Sequence, residues 1–160
     1  MPERINVPLG EFAVVVAPGE LAAVGLGSCV AVTLWDPEAL VGGLAHVLLP
    51  SAPPGRADAP ERFALTAVPL LARRVTALGA EPSRLVATLS GGAAMFAALQ
   101  PPGSIQTGER NVLAARAALR ELGVVVRGEW VGGEFGRSVR FDVDTGVVTV
   151  SSVRHGIRQL

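Results

Sequence analysis

Cysteine is almost missing from this chain, since Cys29 is the only one in 160 residues. A lone cysteine cannot build an intramolecular disulfide framework, so nothing in the sequence points to an oxidising compartment. Together with His46 and His155 it supplies only three nitrogen or sulfur ligands, too few for a closed structural zinc site. Tyrosine is absent, and aromatic residues amount to 4%. Charge of one sign is missing too. Fourteen basic residues balance fourteen acidic ones, giving zero net charge at pH 7. A nucleic-acid or membrane-surface binder shows a basic excess, so the balance argues against both kinds of partner. Long hydrophobic runs are lacking: the stretches at residues 12–17 and 47–49 have core-strand length, well below the ~18 apolar residues of a membrane span. Residues 1–6 do not show the basic-then-apolar pattern of a secretory leader. The expectation is a cytoplasmic protein with no direct membrane insertion.

What is present suits one globular domain over residues 1–160. Hydrophobic residues make up 49% and charged residues 18%, enough apolar material for a core. The run Phe12–Val16 reads as a strand closed by a turn at Ala17-Pro18-Gly19. Residues 29–35 and 40–49 read as two strands around Asp36-Pro37-Glu38-Ala39, whose Pro suits a turn. Residues 60–78 carry helical spacing through Phe63, Ala67, Leu70, Leu71, Val75 and Leu78, with Asp58 or Pro60 near the start. Pro69 predicts a kink or break inside that helix. Residues 85–89 read as a buried strand, and a short helix is expected over 95–99. Residues 111–122 give the clearest helix, with Thr107 or Asn111 as its cap and Gly123 as its stop. Residues 124–131 form a strand, and 139–143 with 147–153 form a hairpin around Asp144-Thr145-Gly146. Hairpins clustered between helices favour an α+β fold of packed mixed sheets over a regularly alternating one.

The hairpin at residues 29–49 juxtaposes two reactive groups. If Trp35 and Leu40 close its loop, Cys29 falls directly opposite His46. Directly opposed residues share a face, with Cβ atoms roughly 4.5–5.5 Å apart. An imidazole there can accept the thiol proton and later return it to a leaving amine. The backbone N–H groups around Gly27, Ser28 and Cys29 are candidates for holding an oxyanion. Such a set suits attack on an amide or ester carbonyl. The same residues also read as a small buried thiol and a satisfied core histidine. Gly91-Gly92 and Gly132-Gly133 read as turn glycines or as shapers of a peptide groove. Arg137 reads first as a solvated surface arginine and second as a holder of a carboxylate or a backbone carbonyl, and His155 reads as exposed and inert.

The ordered blocks Gly25-Leu26-Gly27-Ser28-Cys29-Val30-Ala31-Val32 and Gly43-Leu44-Ala45-His46-Val47-Leu48-Leu49-Pro50 resemble the chemoreceptor glutamine deamidase family, CheD. The resemblance continues through residues 91–96, Gly108-Glu109-Arg110-Asn111 and residues 132–137, so it covers nearly the whole chain. It implies a protein-glutamine amidohydrolase that converts glutamines on the cytoplasmic helices of methyl-accepting chemotaxis receptors to glutamate. Cys29 is then the nucleophile and His46 the base, with no metal or organic cofactor. Gly27, Ser28, Gly91 and Gly92 are expected around the substrate. The family is similar in fold to bacterial toxin deamidases. Its members also bind CheC-type phosphatases, so a regulatory binding module is the alternative. One departure stands out: the family usually places a Thr six residues before the cysteine, and here that position is Ala23. An alanine cannot orient His46 by a side-chain hydrogen bond, so either a backbone carbonyl or another side chain accepts from its second ring nitrogen, or turnover is weakened and binding is the principal role.

Overall fold

The structure, a computed structural model, describes residues 3–55 and 59–160, so Asp58 lies outside the described residues. Ten strands form two mixed five-stranded sheets. The first contains β1 (Arg4–Asn6), β3 (Glu20–Leu26), β8 (Arg137–Asp142), β9 (Val148–Ser152) and β10 (Gly156–Gln159), in that order. The second runs β2 (Phe12–Val16), β5 (Val41–Val47), β4 (Val30–Asp36), β6 (Val86–Gly91) and β7 (Val125–Val131). Pairs β1–β3 and β6–β7 are parallel and the rest antiparallel. Helices α1 (Ala64–Ala77) and α2 (Thr107–Glu121) complete the α+β architecture.

Alternation along β4 and β5 builds two apolar layers, because successive side chains point to opposite faces. Val30, Val32, Leu34, Ala45 and Val47 pack against helix residues such as Ala67, Leu71, Ala115 and Leu119. Ala31 and Leu44 face the other way, joining Leu21, Leu26, Val139 and Phe141 of the first sheet. The second sheet is therefore buried on both faces.

Several expectations need correction. The hairpin loop sits one residue later than predicted: Asp36 still pairs with Val41, so the loop is 37–40. Its Oδ1 accepts from the N–H groups of Glu38 and Ala39, and Leu40 takes a left-handed φ of 53° while donating to the Asp36 carbonyl. His46 consequently faces Ala31, and Cys29 lies diagonally beyond it, just before β4 begins. Moving the loop by one residue changes each partner by two, which preserves the face.

The first helix does not break at Pro69. It begins after Phe63, whose extended backbone lets Ala64 and Leu65 donate to the carbonyls of Leu49 and Pro50. Those carbonyls satisfy the first helical N–H groups, and the helix then continues through Pro69. Leu78 is exposed rather than in the core. The expected helix over 95–99 is only a 3-10 turn at Ala97–Leu99. Helix α2 starts a turn earlier than predicted, with Gln106 at its cap and no side-chain cap, so neither Thr107 nor Asn111 caps it. Strands β1, β3 and β10 have no counterpart in the sequence reading; Ala22, Ala23 and Gly25 lower the strand signal of β3.

Candidate active site

The site lies at the open end of the β4–β5 hairpin. A pocket of about 310 Å³ is lined by Cys29, His46, Val24, Gly25 and the segment Asn6 to Leu9. Cys29 and His46 therefore meet in one cavity despite the changed register. The irregularity in β3 between Ala23 and Leu26 shapes its rim: Val24 is turned out to solvent, and Gly25 takes a φ of 73°. A bulge of this kind bends a strand and redirects its side chains.

His46 is held from three directions. Its backbone N–H donates to the Glu11 carbonyl, and its own carbonyl accepts from Gly10 N–H. Its ring Nδ1 lies 3.1 Å from the Val7 carbonyl oxygen. A carbonyl only accepts, so Nδ1 carries the proton and Nε2 presents a lone pair. Nε2 is buried and has no hydrogen-bond partner among the described residues. Burial pushes the imidazole pKa down, and the Val7 carbonyl only partly opposes this. Burial likewise pushes the Cys29 thiol up, opposed by its own backbone N–H. Both groups are thus neutral at rest near pH 7, a thiol beside a basic imidazole rather than a preformed ion pair.

The backbone before β4 is fixed through its carbonyls. Ala93 N–H donates to the Gly27 carbonyl at 2.9 Å, and Gly92 N–H to that of Cys29 at 2.8 Å. Asn111 Nδ2 donates to the Ser28 carbonyl and to the Leu48 carbonyl, each at 3.0 Å. No hydrogen bond among the described residues engages the N–H groups of Gly27 or Ser28, whereas that of Cys29 faces its own thiol. Three consecutive carbonyls tied inward leave the Gly27 and Ser28 donors available.

The predicted glycines have a different place. A Cβ on Gly91 would stand 2.3 Å from the Cys29 carbonyl oxygen, and one on Gly92 would stand 2.4 Å from Val112. Their lack of a side chain lets β6 close against the Cys29 backbone and α2 close against Gly92. Ala23 is buried in the layer between the sheets.

Two residues carry more than their sequence context suggested. Asn111, expected as a cap, is fully buried on the apolar face of α2 beside Val112, Ala115 and Leu119. A polar residue inside an apolar stripe was the available signal. Val7 acts through its backbone, which leaves no side-chain signature. Arg137 is not a solvated surface residue. Alternation along β8 buries it with Val139 and Phe141, and its guanidinium lies over the Phe135 and Trp130 rings. Burial, then nearby Arg158, pushes its pKa down to about 10. His155 is exposed, with its ring stacked 3.8 Å from that of Phe135.

Among the described residues no group of three His, Cys, Asp or Glu side chains is placed to hold a metal ion, and no helix is long and apolar enough to cross a membrane.

Comparison with known proteins fits this arrangement. The model of the family described as CheD chemotactic sensory transduction matches residues 48–152. A probable chemoreceptor glutamine deamidase CheD 2 of Geobacter metallireducens is 42% identical over 163 residues, covering 100% of both chains. The chemoreceptor glutamine deamidase CheD of Thermotoga maritima is 40% identical, covering 94% of this chain and 92% of its own. A probable chemoreceptor glutamine deamidase CheD of Pyrococcus horikoshii is 39% identical, covering 96% of this chain and 95% of its own. The matches to these three relatives extend over the segment that holds Cys29 and His46, which precedes the stretch matched by the family model. The chain belongs to the CheD family.

Proposed function

We propose that this chain is a cytoplasmic protein-glutamine deamidase of chemoreceptors, with residues 1–160 forming one catalytic domain. The observation that carries this reading is the His46 ring, with Nδ1 anchored on the Val7 carbonyl and Nε2 buried and unpaired, on the pocket that Cys29 also lines. Homologues named chemoreceptor glutamine deamidase supply the substrate class.

The chemistry follows from neutral partners. As Cys29 Sγ attacks the glutamine side-chain carbonyl carbon, His46 Nε2 takes the thiol proton. The carbonyl oxygen becomes an oxyanion, for which the free N–H groups of Gly27 and Ser28 are fixed donors on the nucleophile's own segment. The imidazolium then protonates the nitrogen, the C–N bond breaks, and ammonia leaves a thioester on Cys29. Water attacks that thioester while His46 accepts its proton. Collapse releases glutamate and returns the proton to sulfur, so atoms and charge balance over the cycle.

The alternative, a binding module for a CheC-type phosphatase, drew support from the alanine at position 23. The Val7 carbonyl weakens that support, because it supplies the acceptor that the missing Thr would otherwise provide. Incubation with receptor cytoplasmic fragments, read by mass spectrometry, tests the choice. Wild type should convert glutamine to glutamate with release of ammonia, and Cys29→Ala should not. Conversion that persists in Cys29→Ala would overturn the mechanism. Tight CheC-type binding without conversion by wild type would favour the binding module.

A further inference from the structure

We infer that the broad cleft beside the candidate active site is a cradle for an α-helix of the substrate, lying across the outer face of the first sheet with its target glutamine at Gly25. The inference rests on the deamidase reading for the identity of the substrate, but its geometry is independent of catalysis. The cleft has a volume of about 1130 Å³ and shares Gly25 with the Cys29–His46 pocket, so the two spaces adjoin.

Its floor is a cross-strand row of small residues. Gly25 N–H donates to Ser138 Oγ at 3.4 Å, Ser138 pairs with Ser151, and Ser151 pairs with Ile157. Only Gly25, Ser138 and Ser151 are small, so the floor spans three strands at ~4.8 Å spacing, roughly 10 Å wide. It is bounded by Ile157 on the fourth strand, and its width is close to the ~10–12 Å diameter of a helix. Larger side chains stand at its sides. The stacked rings of Phe135 and His155 form part of one wall, and exposed Met95, Val153 and Ile157 also line the cleft. Apolar side chains exposed and grouped in this way on one cleft mark an interaction surface.

Charge limits the occupant. Arg137, 3% exposed, has no carboxylate partner among the described residues, and its Nε has no acceptor. With Arg154 on the same lining it outweighs Glu134 there. A cleft biased to positive charge favours a helix that carries carboxylates around its glutamine, through the field rather than through direct contact with the buried guanidinium.

Two measurements decide this. In steady-state deamidation of a helical receptor fragment, Ser151→Trp should raise KM at least about tenfold by filling the floor. Arg154→Glu should raise it about threefold and flatten its dependence on salt. Alkylation of Cys29 by iodoacetamide should proceed at the wild-type rate in both, which checks that the site is intact. A KM within twofold of wild type for Ser151→Trp, with normal alkylation, would overturn the cradle. The second measurement needs no turnover. A benzophenone attached at Ser151→Cys in a Cys29→Ser background should crosslink to the fragment within about two helical turns of the target glutamine. Crosslinks confined to an extended segment paired along β10, or none while the fragment still binds, would overturn it. If wild type converts no receptor fragment but this crosslink forms, the deamidase reading fails and the cradle stands.

Discussion

The two ends of the β4–β5 hairpin solve the same problem in opposite ways. At the turn, Asp36 is completely buried and its carboxylate is fully engaged by the N–H groups of Glu38, Ala39 and Glu81 and by the Arg84 guanidinium. At the open end, His46 is nearly as buried, yet Nε2 has no partner. A buried polar group without a partner costs about 1–3 kcal/mol, so a chain that tolerates one needs a reason. The turn uses buried polarity to fix the loop; the open end leaves it unsatisfied where a thiol proton can be received. Satisfaction marks the structural end, and its absence marks the chemical one.

The largest expected break in this contrast is at His46. Removing the base in His46→Ala should lower kcat for receptor glutamines by about 10³-fold or more, as when one member of a catalytic unit is deleted. The wild-type profile sharpens the same point. Burial lowers the imidazole pKa, so the acidic limb of kcat/KM should fall below the ordinary value of 6.5. Activity should stay level as pH drops through 6.5 and decline only at lower pH, where Nε2 becomes protonated and can no longer accept. An acidic limb above 6.5 would contradict a buried neutral base.

Asp36 should show the reverse pattern, with stability lost and chemistry kept. Burial alone would raise its pKa, but Arg84 and three backbone donors hold it well below the usual carboxylate range. Its contribution is therefore present above the unfolded value of 3.8 and lost as pH falls through the lower folded value. Asp36→Asn should cost about 2–3 kcal/mol at pH 7, the lower end for breaking a buried pair because Arg84 is partly solvated. Urea unfolding at pH 7 and pH 3 should show that difference shrinking in acid. Deamidation below the unfolding transition should remain near wild type. A large loss of kcat would mean that the two ends are coupled.

Asn111 stands between these extremes. It joins the carbonyl before Cys29 to the carbonyl two residues after His46, so it sets the spacing of the strand ends that carry the reacting groups. Asn111→Ala should lower kcat about 10–100-fold through misplacement, with little change in KM. Slower alkylation of Cys29 by iodoacetamide would show that the nucleophile itself has shifted. Loss through KM alone would assign Asn111 to substrate binding.

The legibility of this molecule divides along similar physical lines. The pattern of apolar runs located β2 and β4 to β9 to within two residues at each end, because at least one face of each lies in an apolar layer. It missed β1 and β10, which are short, and β3, whose alanines and glycine carry little strand propensity. Face parity survived an error in the loop, since the register moved by two and Cys29 stayed on the side of His46. The ring's acceptor was not legible in any residue type. It is a backbone carbonyl from a segment 39 residues away in sequence. Arg137 was misread because an arginine between two aromatic rings looks, in sequence, like any charged residue at a strand end.

The smallest predicted effect tests that hidden acceptor most directly. The family resemblance implies a Thr at the position of Ala23, and by sequence alone restoring it should raise turnover. The Val7 carbonyl already occupies the Nδ1 side of His46, and Ala23 is tightly packed between the sheets. A hydroxyl introduced there finds the ring's one N–H already taken, and a buried hydroxyl without a partner is itself destabilising. Ala23→Thr should therefore leave kcat within about twofold of wild type while costing roughly 1 kcal/mol of stability. Steady-state kinetics and thermal unfolding on the same preparation read both quantities. A several-fold gain in kcat would mean that the Val7 carbonyl holds the imidazole less well than a hydroxyl does.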